Sequence, residues 1–286
     1  NSTYGDDLPL TEVGKISCGG TTQNVTKDVT LNRNIVANLS GPSLCFNIEK
    51  ASTIFDCNGY SITGVGNGTA FNVTGSDSIV RNCVISNFTV GVEIDSGSIF
   101  NKSLIDYAEL GVKSVGDSYV ENSTIINVVY GMNLSVSNEE SIMDTYIGAS
   151  DTCVYVDINY GSIPTFNQNE FNCPVGMNIK ESRVILFDNV FNTSNVSILS
   201  TNETTFNTTY NATRVNIIGN NGTGGNWYSD YQSIALDDGN ASVSGVPNIT
   251  GDGIADSPLP YNASGNITLG GDNLPLLGTY VSSLTS

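Results

Sequence analysis

Residues able to carry out proton or group-transfer chemistry are few in this chain, and the commonest is missing. None of its 286 residues is histidine. That removes the usual general base near neutral pH, the Ser-His and Cys-His nucleophile pairs, and the commonest metal ligand. Carboxylates remain: 28 Asp and Glu face only 10 Lys and Arg, for a formal net charge of −18. Two acids flanking a glycosidic bond can hydrolyse it. The arrangement to look for is Asp56 with an acid on a neighbouring turn, and no such pair stands out in the sequence. One stretch could hold a cation. From Asn248 through Thr250, Asp252 and Gly253 to Asp256 it is a degenerate form of the Asp-rich calcium loop, with Asp252 and Asp256 as ligands. The competing reading is a glycosylated turn, because Asn248 opens a sequon. No other cofactor is expected.

Asparagine and cysteine carry modification chemistry. Asn-x-Ser/Thr sequons number 19, at Asn1, Asn24, Asn38, Asn67, Asn72, Asn87, Asn101, Asn122, Asn133, Asn192, Asn195, Asn202, Asn207, Asn211, Asn221, Asn240, Asn248, Asn262 and Asn266. This density reads as N-linked glycosylation of an extracellular, cell-surface protein. Ten sequons fall between Asn192 and Asn266 and none between Leu134 and Phe191. The bare segment is either a face that packs on a neighbour or ordinary surface. Six cysteines, Cys18, Cys45, Cys57, Cys83, Cys153 and Cys173, suggest three disulfides formed outside the cell.

These groups sit on a repeat. Gly91-Val92, Gly111-Val112 and Gly131-Met132 are spaced by 20 residues, and Gly176-Met177 follows two longer turns later, with Cys153-Val154-Tyr155 starting the one between. A second string runs alongside: Ser52 to Cys57, Ser78 to Cys83, Ser98-Ile99-Phe100, Ser118 to Asn122, Ser141-Ile142-Met143 and Arg183 to Leu186. Short β-branched and aromatic runs broken by Gly, Asn, Asp and Ser at a fixed period predict an all-β parallel β-helix, a solenoid with little helix. A β-sandwich also has short strands, but it has no reason to repeat its sequence.

Stacking predicts pairings. Cys57 and Cys83 occupy matching positions in successive turns, so they lie about 5 Å apart, a separation that a disulfide spans. Cys153 and Cys173 form the second pair. Cys18 and Cys45 remain, clipping an N-terminal cap to the first turn. Asn82, Asn122, Asn169 and Asn189 are either an inward-facing ladder or plain surface-turn residues. In the ladder Asn122 could not be glycosylated. Met132 and Met177 stand where Val stands elsewhere, which makes them core.

Asp56-Cys57-Asn58-Gly59-Tyr60-Ser61-Ile62, followed one turn later by Asn82-Cys83-Val84-Ile85, resembles the NosD-type right-handed parallel β-helix repeat family. Ile16-Ser17-Cys18-Gly19-Gly20 with Cys45 looks like the capping segment of archaeal secreted members. Three C-terminal stretches, Gly225 to Tyr231, Gly251 to Pro258 and Asp272 to Leu276, are similar to that family's terminal motif. The resemblance implies the fold, with N- and C-terminal caps, more firmly than a function. Members include copper-maturation factors, polysaccharide lyases and epimerases, and archaeal surface proteins. Having no His and few cations, this sequence departs from the enzymatic and copper-handling branches.

The expected organisation is an N-terminal extension over 1–17 able to add as a strand to a neighbour, a cap over 18–44, the β-helix over 45–218 and a C-terminal cap over 219–286. The acidic balance argues against nucleic acid or anionic lipid as partner. No stretch approaches the roughly 20 apolar residues of a membrane span. The polar start reads as a mature secreted terminus. Three functions follow, in this order: a glycosylated structural subunit that polymerises head to tail through its ends; a non-catalytic adhesin that binds polysaccharide through exposed Tyr and Trp227; and a polysaccharide lyase- or hydrolase-like enzyme. Other surface glycoproteins are further candidate partners. The first reading makes the chain no enzyme.

Overall fold

A short β-branched segment cannot bury an apolar face alone, but a stack of such segments can. In the computed structural model, segment after segment pairs in parallel with its counterpart one turn later. The structure describes residues 18–19, 21–37, 43–95, 97–135, 140–157, 163–180, 182–192, 198–200, 205–206, 211–229, 254, 272 and 276–282. The expected N-terminal extension lies outside these, as do Asp252, Asp256 and the sequons Asn1, Asn38, Asn195, Asn202, Asn207, Asn240, Asn248, Asn262 and Asn266.

The described chain is all β, without helix. One wall of the coil is an eight-stranded parallel sheet. It runs from Val29–Thr30 through Ile54–Asp56, Ile79–Arg81, Ser98–Asn101, Ser118–Glu121, Glu140–Met143 and Thr165–Asn167 to Ile185–Phe187. The remaining walls form a fourteen-stranded sheet. Near the N-terminus these walls are separate strands, Ser61–Thr63 and Thr69–Val73. In the middle turns they merge into bent strands such as Val84–Ile94 and Leu104–Ser114, whose two halves pair with different walls. The bend falls at Asn87, Tyr107 and Asn127, each with φ between 52° and 61°.

Inward positions stack in columns. Phe46, Phe71, Val92, Val112, Met132, Val154 and Met177 make one column, and all are buried. Ile62, Ile85, Ile105, Ile125, Ile147, Phe171, Phe191 and Tyr228 make another. Aromatic rings cluster towards each end of the described coil: Phe46, Phe55 and Phe71, one and two turns in from the first, lie at 4.9–5.2 Å, and Phe191 stacks on Tyr228 at 5.3 Å.

The repeating glycines have a steric cause. A Cβ on Gly111 would lie 2.4 Å from the Ile125 side chain and 2.6 Å from the Gly131 carbonyl oxygen, and Gly91 and Gly131 are equally confined. Backbone of the next turn passes where a side chain would stand.

The regular coil is longer than the repeat suggested. Gln23–Val25, Val29–Thr30 and Ile35–Val36, within the segment 18–44, pair in register with the following turn. At the other end Trp227–Tyr228 still pairs with Val190–Phe191. Disulfides join Cys18 to Cys45, Cys57 to Cys83 and Cys153 to Cys173, with Cα separations of 5.0, 4.8 and 5.6 Å. Each links neighbouring turns.

Candidate functional site

Between the eight-stranded wall and the next, the chain turns a sharp corner in two residues. The first points outward and holds a left-handed backbone: Asn82, Lys102, Asn122, Asp144, Gln168 and Asp188 have φ between 46° and 57°. Asn and Asp tolerate this conformation better than most residues. The second residue turns inward: Cys83, Ser103, Ser123, Thr145, Asn169, Asn189 and, in the last turn, Asn226. Its N–H points along the coil axis, where no strand carbonyl meets it, and a buried N–H needs an acceptor.

The next turn supplies that acceptor from a side chain. Cys83 N–H donates to Ser103 Oγ at 3.0 Å, and Ser103 N–H to Ser123 Oγ at 3.4 Å. Thr145 N–H donates to Asn169 Oδ1 and Asn169 N–H to Asn189 Oδ1, both at 3.0 Å, and Asn189 N–H to Asn226 Oδ1 at 3.1 Å. The ladder ends on a carboxylate: Asp272 Oδ2 accepts from Asn226 N–H at 2.6 Å, from Asn226 Nδ2 at 3.2 Å and from the Tyr228 hydroxyl at 3.1 Å.

An inward ladder therefore exists, with different members from those expected. Asn169 and Asn189 belong to it. Asn82 and Asn122 do not: they hold the outward corner position, and Asn122 is exposed. Matching by residue type mispaired them. Matching by the register of the preceding strand, which ends at Arg81 and Glu121, puts Cys83 and Ser123 inside instead. The following strand places Asn226: Val190 pairs with Trp227, so Asn226 holds the position that Asn189 holds one turn earlier.

Outside this corner runs an open groove of about 600 Å³, lined among others by Asn58, Asn82, Lys102, Leu104, Asn122 and Thr124. Asp56 accepts hydrogen bonds from two of these residues, Asn58 and Asn82. Burial pushes its carboxyl up, but hydrogen bonds from Asn82 Nδ2, the Asn58 N–H and Arg81 outweigh this and hold it below its ordinary value. The neighbouring-turn partner of Asp56 is Arg81, at 2.9 Å, so no pair of acids forms there. Along the same corner Asp188 is buried at 1% exposure, and its Oδ1 accepts the Ile217 N–H at 2.6 Å. Burial above all pushes the Asp188 carboxyl up to about 6; the Ile217 N–H, Gln168 and Arg214 oppose this, and Asp144 adds to it. Burial also raises Asp144.

Trp227 is not an exposed platform. It is 8% exposed, its Nε1 donates to the Gly278 carbonyl at 2.8 Å, and the Tyr280 ring packs on it at 5.7 Å. The segment 276–282 runs on to Glu170, whose carboxylate accepts from Tyr280, Ser282 and Asn192. Met132 and Met177 are buried. Among the described residues no cluster of three or more His, Cys, Asp or Glu could hold a metal ion.

The described sequons lie on several faces. Asn24 and Asn72 share one outward column, and Asn133 lies further along it. Asn47 links the first two, accepting from Asn72 Nδ2 and donating to Asn24 Oδ1. Asn87 and Asn122 stand at two corners, Asn192 donates to Glu170, and Asn211 and Asn221 flank the antiparallel hairpin. Asn67 and Asn101 are half-buried. The sequon-free segment between Leu134 and Phe191 is not one face: it passes through every wall and forms a band around the coil.

The fold and corner define a disulfide-linked parallel β-solenoid with an internal side-chain ladder. No family model matches the chain, and no curated protein or solved structure is significantly similar to it.

Proposed function

We propose that this chain is a glycosylated structural subunit of an extracellular surface assembly, a filament or S-layer-like lattice, joined to further copies through the ends of its coil. The observation that carries this is the first turn. The outer edges of Gln23–Val25, Val29–Thr30 and Ile35–Val36 have no strand partner among the described residues. Such an edge is a template for another chain, and head-to-tail contact between unlike ends builds filaments rather than closed dimers. Three disulfides across neighbouring turns suit an oxidising exterior. The exposed sequons supply a glycan coat. The motif resemblance to archaeal secreted members of the NosD-type repeats supports the same reading.

Sedimentation of the natively produced protein tests it. Large, concentration-dependent species are expected. Persistent monomers that bind or cleave a polysaccharide would replace this reading with the adhesin or the enzyme.

A further inference from the structure

Asn122, Ser123 and Thr124 form a sequon that the corner splits. Ser123 turns inward, donating from Oγ to the Glu121 carbonyl at 2.7 Å and accepting the Ser103 N–H. Asn122 turns outward at φ 46° and is exposed. Its amide opens onto the corner groove, among Asn82, Lys102, Leu104 and Thr124. The groove pairs amide and ammonium donors with the apolar surface of Val84 and Leu104. A sugar ring has the matching character, hydroxyls at its rim and C–H groups on its faces. At about 600 Å³ the groove is in the size range of small-molecule sites. The sequon one turn earlier differs: Asn101 Oδ1 is buried and has no hydrogen-bond partner among the described residues, so that side chain is turned against the protein.

We propose that Asn122 carries an N-linked glycan whose first sugars lie in the corner groove against Lys102 and Leu104. The inference rests on the reading of the chain as an extracellular glycoprotein. Asn122 Nδ2 bonds to the anomeric carbon of an activated sugar-diphosphate donor. The diphosphate leaves with the C–O electron pair, and the displaced amide proton passes to a base. The glycan then covers the outward corner while the ladder stays closed behind it.

Glycopeptide mass spectrometry of the natively produced chain tests the linkage, and acylation of Lys102 by an amine-reactive acetyl ester tests the seating. A glycan mass is expected at Asn122, lost in both Asn122→Asp and Thr124→Ala. Asp keeps a side chain tolerated at positive φ, and Thr124→Ala leaves Asn122 in place. Lys102 is expected to acylate several-fold faster in both variants. A bare Asn122 beside occupied Asn72 and Asn133 overturns the proposal and leaves the glycoprotein reading standing. Sequons bare throughout the chain overturn both. An occupied Asn122 with unchanged Lys102 acylation overturns the seating.

Discussion

Asp188 shows how one side chain sets the pH response of the molecule. Its folded pKa is raised to about 6 from 3.8, chiefly by burial. The fold therefore favours the neutral acid, and ionisation above pH 6 costs stability. As pH falls from 7 toward 4 the protein should gain up to about 3 kcal/mol from this group. Below that, Asp56 works the other way. Its folded pKa is lowered, so the stability it contributes is present above its unfolded value and is lost as pH falls through the folded one. Urea unfolding should show a higher midpoint at pH 4.5 than at pH 7, and Asp188→Asn should remove most of the difference. An unchanged pH dependence in the variant would contradict the assignment. None of this was legible in the sequence, where Asp188 is one acid among many. Its burial comes from the Ile217 backbone, a contact across 29 residues.

At the scale of the element, the corner ladder and the glycine column are where spacing becomes energy. Asn189 accepts from the N–H and side-chain amide of Asn169 and donates to the Phe166 and Phe187 carbonyls. Removing it strands several buried groups, each worth roughly 1–3 kcal/mol. Asn189→Ala should therefore destabilise by about 3 kcal/mol or more, whereas Asn122→Ala should cost only the roughly 1 kcal/mol of a left-handed backbone. Equal losses in chemical denaturation would refute the inward and outward assignment. Gly111→Ala meets a backbone oxygen and should cost about 2 kcal/mol by overpacking, read as a lowered Tm.

The wall strands were legible because each turn keeps an apolar inward residue, among them Phe55, Val80, Phe100, Val120, Ile142 and Leu186. The strand Thr165–Asn167 escaped notice because Pro164 and Thr165 replace the usual Ser-Ile opening. The first turn escaped because its strands are only two or three residues long. Ladder membership was half legible: polar type marks Asn169 and Asn189, but only strand register separates them from Asn82 and Asn122.

At the scale of the whole molecule, a solenoid converts sequence order into height and residue type into azimuth. This is why a sequon-free segment becomes a band, while Asn24, Asn72 and Asn133, far apart in sequence, share a column. It also gives the two ends different characters. Among the described residues the last turn is met by Leu276 pairing with Trp227 and by Asp272 closing the ladder. Among the same residues the first turn presents three strand edges without a partner. Unlike ends allow a directional, head-to-tail assembly. Electron microscopy of the natively produced protein tests that most directly. Long polymers with one coil length as their axial repeat are the predicted result. Monodisperse single particles at every concentration would contradict it.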